Sequence, residues 1–431
     1  MTKRETWGLA GTAAAASGVV AVGESIHLAN GRLGTALPPF VMSFGVRADV
    51  LATVVAALVL AAVVLAGGRL VRRPMPGSWF AAALALASLS VGLAVNAMRS
   101  GSAGWSQMFD LGPHGGYVAK FEILAALPAL SYGPRFMLDH FAELVYSQPA
   151  SFSGHPPGVP LLLAWTHITT PGQVAALLIG ALVLVAPATY GLARTLDLGE
   201  RGARTAGLLA ACSPALVLFG VSSTDALFAL AGTVTATLLV SRRASLRLAG
   251  GLAMGVCAML SWLLLAVAAW ATLIVWSRRG FRAALGVAAV VACGVAGTLG
   301  IVAATTGYDP IGTLEATSRV YHQGIAALRP YKFWVFGSPA AFLLMAGVPI
   351  SGAFVLAVLR RSSTAVVLAA TLGTAAVLGF TKAEVERIWL PFVPLLCVAA
   401  APLIGERQLR PVLLALAVQA FAVSLLFATL W

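Results

Sequence analysis

The sequence predicts an all-α fold, a polytopic bundle of about 11 to 13 transmembrane helices forming a single membrane domain. Three observations predict it. Of the 431 residues, 59% are hydrophobic and only 10% are charged, where a soluble domain carries about 25% charge. Apolar runs recur along the whole length, among them 51–68, 80–98, 173–193, 283–305 and 410–430, each close to the roughly 20 residues that cross a hydrocarbon core. Basic residues gather in alternate connections between those runs, as they do in proteins whose cytoplasmic loops are marked by Lys and Arg.

The elements follow in order. Residues 1–98 hold three helices, expected near 8–28, 49–68 and 78–98. The first contains Glu24 and His27 and lacks a small-x-small cleavage site, so it reads as a retained span. Residues 99–170 form a first long loop, in which 159–168 is apolar but too short to cross. The helix core, 171–305, is expected to hold spans near 173–193, 204–221, 223–241, 248–260, 261–277 and 283–305. The 248–277 stretch carries Gly250, Gly251 and Gly255 and reads either as two short helices or as one long tilted one. A second long loop covers 306–337. The C-terminal helices, 338–431, are expected near 338–359, 363–381, 388–403 and 410–430. No period of 20–50 residues marks a repeat array.

Charge sets the expected orientation. With Lys3 and Arg4 in the cytoplasm, the inner segments also hold Arg69, Arg72 and Arg73; Arg194, Arg201 and Arg204; Arg242, Arg243 and Arg247; Arg278, Arg279 and Arg282; Arg360 and Arg361; and Arg407 and Arg410. That is 18 of the 28 basic residues. Only Glu5, Asp197, Glu200 and Glu406 join them inside, leaving 11 of the 15 acids outside or at outer helix ends. The formal charge of +13 thus has its explanation in topology and does not call for a nucleic-acid partner. Cys212, Cys257, Cys293 and Cys397 all lie in apolar runs and read as packing residues.

The outer segments carry the chemistry. The first loop holds W-S-Q-M-F-D (105–110), G-P-H-G-G-Y (112–117) and S-G-H-P-P-G (153–158), with Glu122, Arg135, Asp139, His140 and Glu143 between them. The second holds Asp309, Glu315, Arg319, Tyr321, His322, Arg329, Tyr331, Lys332 and Trp334, and a short third holds Lys382, Glu384, Glu386 and Arg387. Loops this long usually carry function, and amphipathic segments within them suit the membrane surface.

In this order and on one common side, the motifs resemble the GT-C superfamily of integral-membrane glycosyltransferases. The acid opening the first long loop, Asp110, corresponds to that family's loop acid, without the second acid that usually stands beside it. Y-G-P-R-F-M-L-D-H-F (132–141) followed by S-G-H-P-P-G-V-P-L-L-L (153–163) resembles the H-P-P segment of the polyprenyl-phosphate-mannose branch. S-S-T-D-A-L-F-A-L (222–230) resembles a helix that starts with Asp at the outer face, and E-V-E-R-I-W-L-P-F (384–392) a late helix start in bacterial members. Three helices precede the catalytic loop, where the family core has one.

The resemblance implies a polyprenyl-phosphate-linked sugar as donor. It implies a glycan, lipid or protein acceptor and inversion at the anomeric carbon, with the site facing outward from the cytoplasmic membrane. Asp110 would be the general base, with Glu122 the other candidate, because a carboxylate within reach of a hydroxyl can take its proton. Arg387 would meet the donor phosphate through its planar fork, aided by His155, Arg329 and Lys332. Glu384, Glu386, Asp225 and Tyr117 would orient substrate. Each has a plainer reading as well: Asp110 a solvated loop acid, Glu122 the mark of an interfacial helix, His155 part of a proline elbow, Asp225 a helix cap and Arg387 a salt bridge to Glu384 or Glu386. No cofactor or metal is expected, since the chain lacks a Walker loop, a dinucleotide fingerprint and metal-ligand spacing. The rival class is a transporter or lipid flippase, which needs polar residues at the bilayer midplane and broken helices.

Overall fold

The computed structural model describes residues 2–113 and 115–429. The chain is all-α and 79% helical. Among the described residues, six helices are long and apolar enough to cross a bilayer: Lys3–Leu28, Val50–Arg72, the helix from Gly77, Pro171–Thr195, Phe281–Thr306 and Glu406–Leu426. A seventh span arises if the bent pair Tyr331–Ala346 and Val348–Leu359 is counted as one.

All thirteen expected crossings fall on helix, but several are broken or short. The stretch 204–221 divides at Ser213 into Gly199–Cys212 and Pro214–Phe219. The ambiguous 248–277 stretch is two helices, Ala244–Leu260 and Leu264–Arg279. Asp225–Val240, Ala244–Leu260, Ser363–Leu378 and Leu390–Leu403 are each shorter than 18 residues. At 1.5 Å per residue such helices span about 25 Å or less, short of a ~30 Å core. The apolar 159–168 segment is an eight-residue helix, Gly158–Trp165, with Val159, Leu161 and Leu163 buried.

Packing divides the chain into two compact units. The first comprises 1–104, 178–237 and 329–430; the second comprises 105–177 and 238–328.

The first unit contains the 116° bend, and its sequence explains both the bend and its tolerance. Gly347 sits at φ +123°, and a Cβ there would lie 2.3 Å from a Leu416 methyl. A helix broken inside a membrane domain leaves backbone groups that must be satisfied by protein. Here the Gln419 amide serves both sides of the break. Its oxygen accepts from the Val348 N–H at 3.0 Å and its nitrogen donates to the Leu344 carbonyl at 2.6 Å. The Ser213 hydroxyl takes the Ala346 carbonyl at 2.8 Å. The last helix continues past Leu426 into a short strand, Phe427–Thr429, which pairs antiparallel with Met42–Phe44.

In the second unit, Ala244–Leu260 and Phe281–Thr306 pack in close contact. Gly251 and Gly294 meet backbone to backbone, and a Cβ at Gly255 would strike Thr298 and the Gly294 carbonyl. Small residues four apart let membrane helices approach in this way. The glycines that made this stretch look irregular in sequence therefore serve a helix interface.

The long loops are ordered by short helices. In the first, Pro134–Asp139, Phe141–Leu144 and Gly158–Trp165 follow several tighter helical turns. In the second, Pro310–Gln323 is capped by Asp309, whose carboxylate accepts from the Ile311 and Gly312 N–H groups at 3.0 and 2.9 Å.

Candidate functional site

Five ionisable side chains singled out in the sequence converge in the first unit. The short helix Val385–Ile388 is entered through Ala383 and Glu384, both left-handed at φ +62° and +59°. Non-glycine residues hold that conformation at a cost of order 1 kcal/mol each, and only where their surroundings over-determine it. Here the surroundings do so. The Glu384 carboxylate is clamped between Arg329, at 2.8 Å, and Arg387, at 3.0 Å. Arg329 also donates to the Lys382 carbonyl at 2.7 Å, fixing the turn itself. Arg387 reaches onward to Asp225 at 2.8 Å.

Asp225 opens the helix Asp225–Val240. The cap there is made by Ser223, whose hydroxyl accepts the Asp225 N–H at 3.1 Å and donates to the Asp225 carboxylate. Asp225 itself is therefore free to face the guanidinium. The network alternates two cations with two anions in the order Arg329, Glu384, Arg387, Asp225. Three of its four members are at most 5% exposed. Desolvation makes such an arrangement costly unless the charges balance, and here two guanidiniums face two carboxylates. Burial pushes the Glu384 carboxyl up, but the two guanidiniums outweigh it and hold the group below the usual carboxylate range.

Glu386 stands apart from this balance. One carboxylate oxygen accepts the Val41 N–H at 2.6 Å. The other is buried without a hydrogen-bond partner among the described residues. Burial, with Glu384 nearby adding to it, raises this carboxyl to about 7. It is a buried acid poised to hold a proton near neutrality. The remaining candidate of this unit, Lys332, is exposed in the first turn of Tyr331–Ala346.

The second unit holds the loop candidates. Asp110 is half-buried, and one oxygen accepts the Gly112 N–H at 2.8 Å. His114, four residues on in the G-P-H-G-G-Y stretch, lies outside the described residues. Glu122 is 1% exposed and accepts the Ser151 hydroxyl at 2.8 Å. Ser151 N–H also bonds the Phe121 carbonyl, so this acid ties two parts of the loop together. His155 is half-buried and stacks on Phe152, and the chain after Pro156 and Pro157 passes hard against the end of Ala244–Leu260 at Gly158. Tyr117 is exposed, with the Lys120 ammonium 3.8 Å over its ring.

Sequence reasoning missed three participants: the Val41 N–H, Ser151 and the role of Arg329 as a carboxylate partner. Val41 lies 345 residues from Glu386, and no local pattern links them. Among the described residues, no three His, Cys, Asp or Glu side chains gather as a metal site would need.

The fold defines the class: a multi-pass helical membrane protein with six or seven candidate spans. No protein-family model matches the chain, and no curated protein or solved structure proves similar to it.

Proposed function

We propose that this protein is a membrane glycosyltransferase. It would move a sugar from a polyprenyl-phosphate donor to an envelope glycan, lipid or protein acceptor at the outer face of the cytoplasmic membrane. One observation carries the reading. The two helix starts singled out by resemblance, S-S-T-D at 222–225 and E-V-E-R at 384–387, lie far apart in sequence yet join through the 2.8 Å Arg387–Asp225 pair. Ionisable groups buried in a membrane domain are expensive and usually functional.

In this reading Asp110 takes the acceptor proton, with Glu122 the alternative base. Asp110 suits the role better, because it is the more accessible acid and one of its oxygens is uncommitted by Gly112. Within the first unit, Arg387 and Arg329 are the side chains that would stabilise the departing phosphate. Both arginines already serve carboxylates, so a phosphate would share or displace the Glu384 contacts.

A second reading, a transporter or lipid flippase, is favoured by the 116° broken helix and by a buried carboxyl able to exchange a proton. Incubating the purified protein with a panel of radiolabelled polyprenyl-phosphate monosaccharides separates the two. Transfer from one donor supports the enzyme. No transfer from any donor, together with solute movement in proteoliposomes, establishes the transporter.

A further inference from the structure

The first unit carries a second polar feature that the glycosyltransferase reading does not use. Four candidate spans have an end there. Val50–Arg72 and Pro171–Thr195 finish, and the helix from Gly77 and Glu406–Leu426 begin, around two adjoining cavities. Their volumes are about 500 and 720 Å³. Arg72 and Arg201 line both.

The arginines around these cavities divide by task. Arg204, 5% exposed, is structural. It donates to the Arg73 and Met75 carbonyls at 2.6 and 2.8 Å and to Glu200 at 2.6 Å, and its guanidinium lies 5.0 Å over the Phe80 ring. It pins the tight turn between two spans to the helix Gly199–Cys212. Arg194 is held by Glu200 and Tyr190. Arg201 and Arg407 are exposed and have no ion pair or hydrogen bond among the described residues. Arg72 has one exposed contact, to Glu406 at 3.3 Å. The framework thus presents three available guanidiniums around these open depressions, while the two acids nearby, Glu200 and Glu406, are already engaged.

Position identifies the occupant. Cavities at the ends of candidate spans lie at headgroup depth, and basic pockets between membrane helices suit anionic headgroups. Val71, Pro74 and Met75 add an apolar margin. Trp79, in the first turn of the helix from Gly77, is 70% exposed, as aromatic side chains at the interface are. We propose that these joined cavities bind the phosphate headgroup of an anionic membrane lipid, with Arg72, Arg201 and Arg407 as its ligands. A merely positive surface would explain the charge, but not two adjoining open depressions whose rim Arg204 braces.

The test is lipid retention by the full chain. Protein is released from nanodiscs of equal phosphatidylglycerol and phosphatidylcholine with matched acyl chains, and bound lipid is counted by native mass spectrometry. The wild type should retain phosphatidylglycerol over phosphatidylcholine by about ten- to thirtyfold. Arg201→Gln with Arg407→Gln should bring the two lipids near parity. Arg243→Gln with Arg282→Gln, which removes as much exposed positive charge elsewhere, should leave the preference intact. A wild type without preference overturns the proposal, even if no variant can be purified. An equal loss in the control pair overturns it too, since the effect would then be net charge alone. If millimolar inorganic phosphate displaces the lipid completely, the cavities are a site for free phosphate and the lipid assignment fails.

Discussion

Replacing Glu386 by Gln should flatten the dependence of stability on pH. Glu386 is 2% exposed, with one oxygen bonded to the Val41 N–H and the other lacking a partner among the described residues. The charges closest to it are Glu384, which opposes its ionisation, and Arg387, which favours it but also serves two other carboxylates. Arg329, just before Tyr331–Ala346, and Lys332, in its first turn, are the cations at the start of the helix that packs against this short one, and Arg329 is bound to Glu384. The folded carboxyl titrates at about 7 against an ordinary 4.5. Between those values the folded state holds a proton that the unfolded chain has released. Stability therefore falls as pH rises from 4.5 through 7, because ionisation must then occur in a buried setting. At about 1.4 kcal/mol per pH unit, the loss approaches roughly 3 kcal/mol above pH 8. Gln keeps an oxygen for the Val41 N–H and cannot ionise. The assay is thermal unfolding in detergent from pH 5 to 8.5, read by a thiol-reactive dye, for which buried Cys212 and Cys397 report on this unit. The wild-type midpoint should drop across that range and the variant's should not. Parallel curves for the two proteins would refute the reasoning.

Other outcomes follow from the same geometry. Arg387→Ala leaves Asp225 and Glu384 without their shared cation and should cost about 3–5 kcal/mol; adding Asp225→Asn and Glu384→Gln should recover part of the lost unfolding midpoint. Asp110→Asn should lower transfer by about 10²–10⁴-fold in kcat with KM little changed, because Asn can still accept the Gly112 N–H and hold the loop. If Glu122→Gln is the inactive variant instead, the base is Glu122. Gly158→Ala would put a Cβ 2.3 Å from the Met259 carbonyl oxygen and should destabilise the second unit by about 1–3 kcal/mol, seen as a lower melting temperature. Ser102→Cys, in a chain whose exposed Cys293 has been replaced, should react with an impermeant maleimide in cells whose outer layers are permeabilised. Labelling only after lysis of the inner membrane would reverse the expected orientation.

The helices were legible because hydropathy is a local property: the segments from 8–28 to 410–430 all fall on helix. Their lengths and breaks were less legible. The bend at Gly347 depends on Gln419 and Ser213 satisfying the opened backbone, and neither residue is near it in sequence. The candidate site shows the same division. Asp225, Glu384, Glu386 and Arg387 stood out because charge is conspicuous in so apolar a chain. What they would contact did not. Arg329 read as a phosphate ligand and is bound to Glu384; Ser223, Thr224 and Asp225 all read as possible caps, and Ser223 performs that task. Glu122 read as a second candidate base or the mark of an interfacial helix and is a buried tie to Ser151. Such pairings are set by tertiary packing, which no spacing along the chain encodes.

The alternating ion network also sets a schedule for biosynthesis. Asp225 leaves the ribosome 162 residues before Arg387, an interval of roughly 10–30 s at ordinary elongation rates. Throughout it, the helix Asp225–Val240 exists without the guanidinium that later neutralises its first residue. A bare carboxylate does not settle stably in hydrocarbon, so the nascent helix must wait protonated, in water, or shielded by the insertion machinery. The strand Met42–Phe44 waits longer still, since its partner is Phe427–Thr429. Closure of the first unit therefore waits on segments made long after its first ones, and a chain truncated ahead of Arg387 would display the unmatched acid to membrane quality control.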